Sequence, residues 1–278
     1  MNIGIIVENN KLKKWQLETL NNLKKKNNFF ILNFYSKKKI NYNKFLYYFF
    51  RILFRPKSEK NNYLNLEKKF KVFNFSKLFY KNKLVNFDEN FYTCLKKEKI
   101  DLLIRFGLGL LDTSKIKIPV ISFHHGDPSK YRGRPACFYE MLNNESCIGQ
   151  IVQVLNNKID QGKILSFSQS KIYKESYRKT LHEAHSLSKF SLEKAIQNLK
   201  EKKFLNLKTS GINYTIPSNF KVLKLVTKIF YNKFILILDR LFFLKKWKIS
   251  IKPLKEINPM KLNKLPRYLN KDTFNIKI

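Results

Sequence analysis

The chain has 278 residues, enough for one sizeable core with an appendage, and 44% of them are hydrophobic, which excludes disorder over most of its length. The formal net charge of +36 suggests polyanions, but lysine outnumbers arginine 48 to 8, and phosphate or base recognition would favour the planar Arg fork, so most of this charge reads as a solvated surface. Cys94, Cys137 and Cys147 are too few and too irregularly spaced for a disulfide framework or a zinc site, and no apolar run reaches the roughly 18 residues a membrane span needs, so a cytoplasmic protein is expected.

MNIGIIVENN reaches Glu8 after a short apolar run and does not read as a signal peptide; IGIIV (3–7) reads instead as a buried strand. A helix over 12–26 follows, with Trp15, Leu17, Leu20 and Leu23 at helical spacing, and then a strand at 29–34. Residues 36–87 alternate basic and aromatic clusters and yield only loosely placed helices. Beyond them the spacing predicts a helix near 88–99, strands DLLIRFG (101–107) and PVISFHH (119–125), a short helix ACFYEMLNN, and strands IGQIVQVL and KILSFSQ joined by a tight turn at Asp160 and Gly162. Thr180 is expected to cap a long helix that buries Leu181, Ala184, Leu187 and Phe190. This alternation predicts an α/β, Rossmann-like fold: a mostly parallel sheet with helices on both faces.

The expected organisation is a catalytic domain over 1–205 and a basic, mainly helical extension over 206–278. Within the extension, Val222, Val226, Ile229, Phe230, Phe234, Ile237 and Leu241 recur three or four apart, which predicts an amphipathic helix. Its apolar side is expected to pack on the main domain or on a second subunit, making a homodimer; a peripheral membrane contact through 222–246 is the other arrangement left open.

Six of the eight glycines lie between residues 107 and 162, and Gly107, Gly126 and Gly162 follow expected strands. Open parallel sheets bind ligands at such strand ends, so this window is the candidate site. His124 leaves one strand end and Asp160 sits in the next turn, a pairing suited to acid/base work. His182 and His185 of HEAH lack a third ligand at metalloprotease spacing, so no metal is expected.

The order FHHGDPSKYRGRPACFYEMLNNES, then IGQIVQVLNNKIDQGKIL, resembles the folate-dependent formyltransferase family. In that family an Asn-x-His-Pro-Ser segment precedes a Tyr-Arg-Gly turn, and an Asp-x-Gly-x-Ile turn follows. Aligned on Tyr131, Arg132 and Gly133, the family's catalytic histidine falls on His124 and its aspartate on Asp160. The resemblance covers about 100–200 well and 1–35 loosely, and it implies transfer of a formyl group from 10-formyltetrahydrofolate, the co-substrate, to an amine. The histidine would stabilise the formyl oxygen as it becomes anionic, and the aspartate would position it and help remove the amine proton. The family's asparagine, a further donor to that oxygen, is Ser122 here.

By the same resemblance the folate site falls on Leu110 and Leu111 and on the turn Asn156, Asn157, Lys158 and Ile159; read from the residues alone, the two leucines are equally well core. His125 could supply an extra donor to substrate, and Arg132 and Arg134 could hold an anionic group of the acceptor, or else be a solvated loop or pair with Glu140. The partner implied is a small anionic amine acceptor such as a nucleotide-linked amino sugar; no nucleic-acid module is evident. Two alternatives remain: a methionyl-tRNA formyltransferase-like enzyme, or a catalytically silent homologue that binds membranes or polyanions.

Overall fold

The run IGIIV lies inside strand β1 (Asn2–Glu8), where Ile3, Ile5, Ile6 and Val7 are fully buried because helices cover both faces of the sheet that β1 centres. The computed structural model describes residues 1–23, 27–36, 41–62, 70–75, 78–81 and 84–242. After β1 come β2 (Leu12–Lys13), α1 (Lys14–Leu23), β3 (Asn28–Phe34), α2 (Phe45–Leu53), β4 (Asn61–Asn62), β5 (Lys71–Phe75), β6 (Phe79–Lys81), β7 (Leu84–Asn86) and α3 (Glu89–Lys97). The second half holds β8 (Leu102–Arg105), β9 (Val120–His124), β10 (Tyr131–Gly133), α4 (Phe138–Leu142), β11 (Cys147–Val154), β12 (Lys163–Lys171), α5 (Tyr177–Lys200), β13 (Ile212–Tyr214) and α6 (Asn219–Phe242).

Seven strands form the main sheet in the order β12-β11-β9-β8-β1-β3-β5. The five from β9 to β5 are parallel, and the β11-β12 hairpin adds antiparallel at one edge. The fold is thus the α/β, Rossmann-like, mostly parallel sheet expected. On one face Leu17 and Leu20 of α1 and Leu192 and Ala195 of α5 close over Ile3, Ile5 and Ile121; on the other, Phe91 and Leu95 of α3 cover Ile6 and Leu103.

Several boundaries depart from expectation. Helix α1 starts at Lys14, since Leu12 and Lys13 pair with β4 in a short antiparallel ladder; expected positions 24–26 lie outside the described residues. Helix α5 is capped by Ser176, whose side chain accepts from Lys179 N, not by Thr180. Thr180 sits one turn inside, where its Oγ1 accepts from Tyr173 N at 2.9 Å. The buried side of α5 is also rotated: Leu181 and Ala184 are buried, but Leu187 and Phe190 only in part, and Ser188 and Ser191 take the inner places. Hydrogen bonds to the sheet side chains explain this, for Ser191 Oγ lies 3.1 Å from Ser168 Oγ and Ser188 Oγ accepts from Gln150 at 3.2 Å.

Past residue 205 the chain packs on the main body as far as Ile229, and residues 243–278 of the expected extension lie outside the described residues. Strand β13 pairs with β10, and Val222, Leu225 and Ile229 of α6 share one apolar cluster with Phe138, Tyr47 and Phe50. The single apolar stripe expected on α6 is split: Val222 and Ile229 are buried, while Phe230, Phe234, Ile237 and Leu241 face outward. Among the described residues no helix is long and apolar enough to cross a membrane.

Candidate active site

Alternation along β9 sends Ser122 and His124 to one face and Ile121 and Phe123 to the other. Immediately beyond, the HGDPS segment folds on Asp127, whose Oδ1 accepts from Ser129 N at 2.9 Å and Oγ at 2.6 Å while its carbonyl accepts from Tyr131 N. This turn brings the Tyr131 carbonyl to 2.8 Å from His124 Nε2, in a buried contact. Gly126 permits it, since a Cβ there would stand 2.6 Å from Nε2. The backbone therefore anchors one end of the imidazole.

The other end meets Asp160. Nδ1 of His124 lies 3.2 Å from Asp160 Oδ2, which also accepts from Gly133 N at 2.7 Å, while Oδ1 accepts from Gln153 Nε2 at 3.2 Å. Gln153 is itself buried and holds the turn from its other atom, accepting from Gly162 N at 2.9 Å. Asp160 adopts φ 49, a conformation tolerated by Asp, and the turn presents its carboxylate back toward β9. Both ring nitrogens of His124 thus face acceptors, so the protonated ring satisfies both and the neutral ring only one.

Arg105, at the end of β8, is, like Gln153, a residue that sequence reasoning missed. It stands in register with Ser122 on the neighbouring parallel strand, and its Nε donates to Ser122 Oγ at 3.2 Å. Nη1 donates to the Gly109 carbonyl. Burial holds this guanidinium below its ordinary value, opposed by the charge of Asp160. A positive group in a Leu-Leu-Ile-Arg strand reads as an exposed strand end; only the pairing of β8 with β9 reveals that it points at Ser122.

Of the expected folate positions, Leu111 is fully buried in the core and Leu110 is half-buried. Asn157 Oδ1 accepts from Thr113 N and Oγ1 at 2.9 Å each, tying the 156–160 turn to the loop after β8. Asn156 braces its own turn, donating to the Gln161 carbonyl and accepting from Lys158 N. Lys158 is exposed and Ile159 offers an apolar surface at the rim. Nothing lies within 4 Å of where a Cβ on Gly109 would stand, so this loop borders open space. The two loops are thus linked to each other, and Ile159 gives their rim an apolar surface.

The remaining expected residues divide. His125 turns to the opposite face, where Nε2 lies 3.3 Å from Ser188 Oγ and the ring packs edge-on against Trp15 and His185; burial, then His124 and Lys13, hold its pKa down to about 3. Arg132 and Arg134 line a recess with His124, Tyr131, Tyr139 and Glu140, and His125 also borders it although its ring packs on Trp15 and His185. Arg132 Nε is committed to the Gly211 carbonyl at 2.6 Å, and Arg134 is exposed. Glu140 is buried with no arginine partner among the described residues, and burial, with Glu145 and Asp127 adding, pushes its carboxyl up to about 8.

No protein-family model and no curated protein matches the chain. Solved structures do. A phosphoribosylglycinamide formyltransferase from Anaplasma phagocytophilum superposes with TM-score 0.51 at 14% identity, over 76% of this chain and 92% of its own. An N-formyltransferase from Helicobacter canadensis, in complex with folinic acid and dTDP-3-aminofucose, gives TM-score 0.51 at 15% identity over 84% and 81%. A sugar 3N-formyltransferase structure in the presence of dTDP and 5-N-formyl-THF gives TM-score 0.51 at 14% identity over the same shares. The architecture is a Rossmann-like α/β sheet with the His124–Asp160 pair at the carboxyl end of β9. More narrowly, it is the fold of the folate-dependent formyltransferases.

Proposed function

We propose that the protein is a formyltransferase acting from 10-formyltetrahydrofolate on the amine of a small anionic acceptor, such as a nucleotide-linked amino sugar. The observation that carries this is the anchored pair: His124, fixed through Nε2 by the Tyr131 carbonyl, turns Nδ1 to Asp160 at the end of a sheet of this fold. Bound between the 107–113 loop and the 156–160 turn, the folate would supply an activated formyl carbon.

The residues divide the work that remains. Asp160 orients His124 and accepts the proton that the attacking amine must lose as its nitrogen bonds to the formyl carbon. Once Asp160 has taken the amine proton it no longer holds the Nδ1–H of His124, which then turns to the formyl oxygen as negative charge develops there. Arg105 and Ser122 lie on the same floor, where a guanidinium N–H and a hydroxyl stand in for the family's asparagine amide. When the bond to the folate N10 breaks, that nitrogen takes the proton released by the amine, so charge and protons balance. Arg132 and Arg134 favour an anionic acceptor at the recess. A small acceptor is favoured over tRNA because residues 206–242 hold one short strand and one long helix rather than a small barrel.

The test is calorimetric titration with 5-formyltetrahydrofolate, a stable analogue, followed by assay of formyl transfer to nucleotide-linked amino sugars. Wild type is expected to bind and turn over, and His124→Ala and Asp160→Asn to bind but lose about a hundredfold or more in turnover. Absence of folate binding by the folded wild-type protein would overturn the reading.

A further inference from the structure

Helix α6 is packed by only its first half. Val222, Leu225 and Ile229 are buried against the main body, whereas none of residues 230–241 is. A second apolar stripe, Leu223, Phe230, Phe234, Ile237 and Leu241, stands between 44% and 67% exposed. The successive spacings of 7, 4, 3 and 4 residues put all five on one line along the helix. Helix α2 shares the inner cluster through Tyr47 and Phe50 and repeats the pattern, leaving Phe45, Phe49 and Ile52 exposed at i, i+4 and i+7. Adjacent helices that each leave an aromatic stripe to solvent exceed the scattered apolar exposure of an ordinary surface.

We propose that these two stripes form a docking surface for an anionic lipid bilayer, with α6 lying in the plane of the interface. Charge selects this occupant. Lys224 flanks the α6 stripe on one side, Lys233 and Arg240 on the other, and Asp239 is the sole acid in the helix; residues 41–55 contain none. Lysines bordering an apolar face of Phe, Leu and Ile are the composition that seats a helix at the headgroup boundary. A second copy of the chain fits the surface poorly. It would bring together two apolar faces bordered by lysine and arginine, on chains already carrying +36. Embedding in the plane, rather than spanning, agrees with the lack of a membrane-crossing helix among the described residues. The proposal is independent of the formyl-transfer reading.

Flotation of the full chain with phosphatidylcholine vesicles, with and without phosphatidylglycerol, tests it. The protein is expected to float with the mixed vesicles, to stay behind with phosphatidylcholine alone, and to be released by salt. The outward-facing triple variant Phe230→Ser, Phe234→Ser, Ile237→Ser is expected to keep the wild-type melting temperature and to bind about tenfold more weakly or worse. Lys224→Glu with Lys233→Glu is expected to weaken binding and flatten its salt dependence. Failure to bind mixed vesicles at low salt overturns the proposal. So does unchanged binding by the Phe/Ile variant, which would put the contact elsewhere, and so does a dimer in solution that the same variant dissociates, which would assign the face to a second copy.

Discussion

Arg105 donates from Nε to Ser122 Oγ at 3.2 Å across two parallel strands that run directly into the candidate site. In the proposed reaction Ser122, which aligns with the asparagine of the formyltransferases that the sequence resembles, and Arg105 act as one donor built from two residues. Arg105→Ala should therefore lower kcat by about a hundredfold to a thousandfold while leaving acceptor KM nearly unchanged. The sharper outcome concerns rescue. Ser122→Asn alone should not help, because the larger amide competes with the guanidinium for space, but Arg105→Ala with Ser122→Asn should recover part of the lost turnover. A double variant no better than Arg105→Ala would refute the exchange of roles.

Gly126 makes a second, purely geometric prediction. A Cβ at this position would stand 2.6 Å from His124 Nε2 and 3.2 Å from the Tyr131 carbonyl oxygen, so alanine must push the ring off its anchor. Misplacement of about 1 Å can cost roughly a hundredfold in rate. Gly126→Ala is expected to fold, bind 5-formyltetrahydrofolate and lose turnover on that scale. Wild-type kcat in this variant would show that the Nε2 anchor does not position the ring.

Much of this site is legible in the sequence alone, and the reason is glycine. His124 and Asp160 each sit beside a glycine that ends a strand or closes a turn, and such punctuation survives in sequence because backbone geometry demands it. Arg105 and Gln153 are not legible. Arg105 is the one polar residue of LLIR and Gln153 one of two glutamines in CIGQIVQV, and the direction of each depends on a neighbouring strand contributed by a distant segment. The split of α6 into two stripes is hidden for the same cause, since periodicity reports which residues share a face and not which face is covered. The segment Lys57–Glu59 lies in the stretch 36–87, where the sequence yields only loosely placed helices, yet Ser58 and Glu59 are buried: Ser58 Oγ lies 3.0 Å from His185 Nδ1 in α5, and Glu59 accepts from Lys13.

Buried titratable groups give a pH dependence with two opposed arms. His125 is held at about 3 in the folded protein and His185 well below its ordinary value, chiefly by burial, so the unfolded chain takes up protons below about pH 6.5 that the native state refuses. Their contribution is present above that pH and is lost as pH falls. Glu140, raised to about 8 by burial, works the other way: its contribution is full below the unfolded carboxyl value and is lost as pH rises through 8. The difference in urea midpoint between wild type and Glu140→Gln isolates the second arm. The variant should gain on wild type steadily from about pH 5 to 8, by about 1.4 kcal/mol for each step of one in pH. A difference that does not change with pH would mean the Glu140 carboxyl is ionised in the native state.

Glu59 joins the 41–62 segment to the main body, and its loss should be felt globally. Burial alone would raise its carboxyl, but Lys13 and Arg51 together more than reverse this, and the group lies below its ordinary value. Lys13 Nζ donates to Oε1 at 2.7 Å and Arg51 to Oε2, while Arg51 Nη1 also donates to Tyr177 OH at 3.1 Å, and that hydroxyl donates on to the Ala136 carbonyl at 3.0 Å. The chain of contacts runs from the segment, through α2 and α5, to the loop beside the recess. Removing the carboxylate leaves Arg51 half-buried without its partner, a change that costs about 3–5 kcal/mol in buried pairs. Glu59→Ala should lower the unfolding free energy on that scale, and Glu59→Gln, which keeps an acceptor but not the charge, by less. Lys13→Ala should be milder than Glu59→Ala, since Arg51 still compensates the carboxylate and the Lys13 side chain is 36% exposed. Chemical denaturation at neutral pH measures all three. A Glu59→Ala loss below about 0.5 kcal/mol, the range of an ordinary surface substitution, would mean that this segment is not held through Glu59.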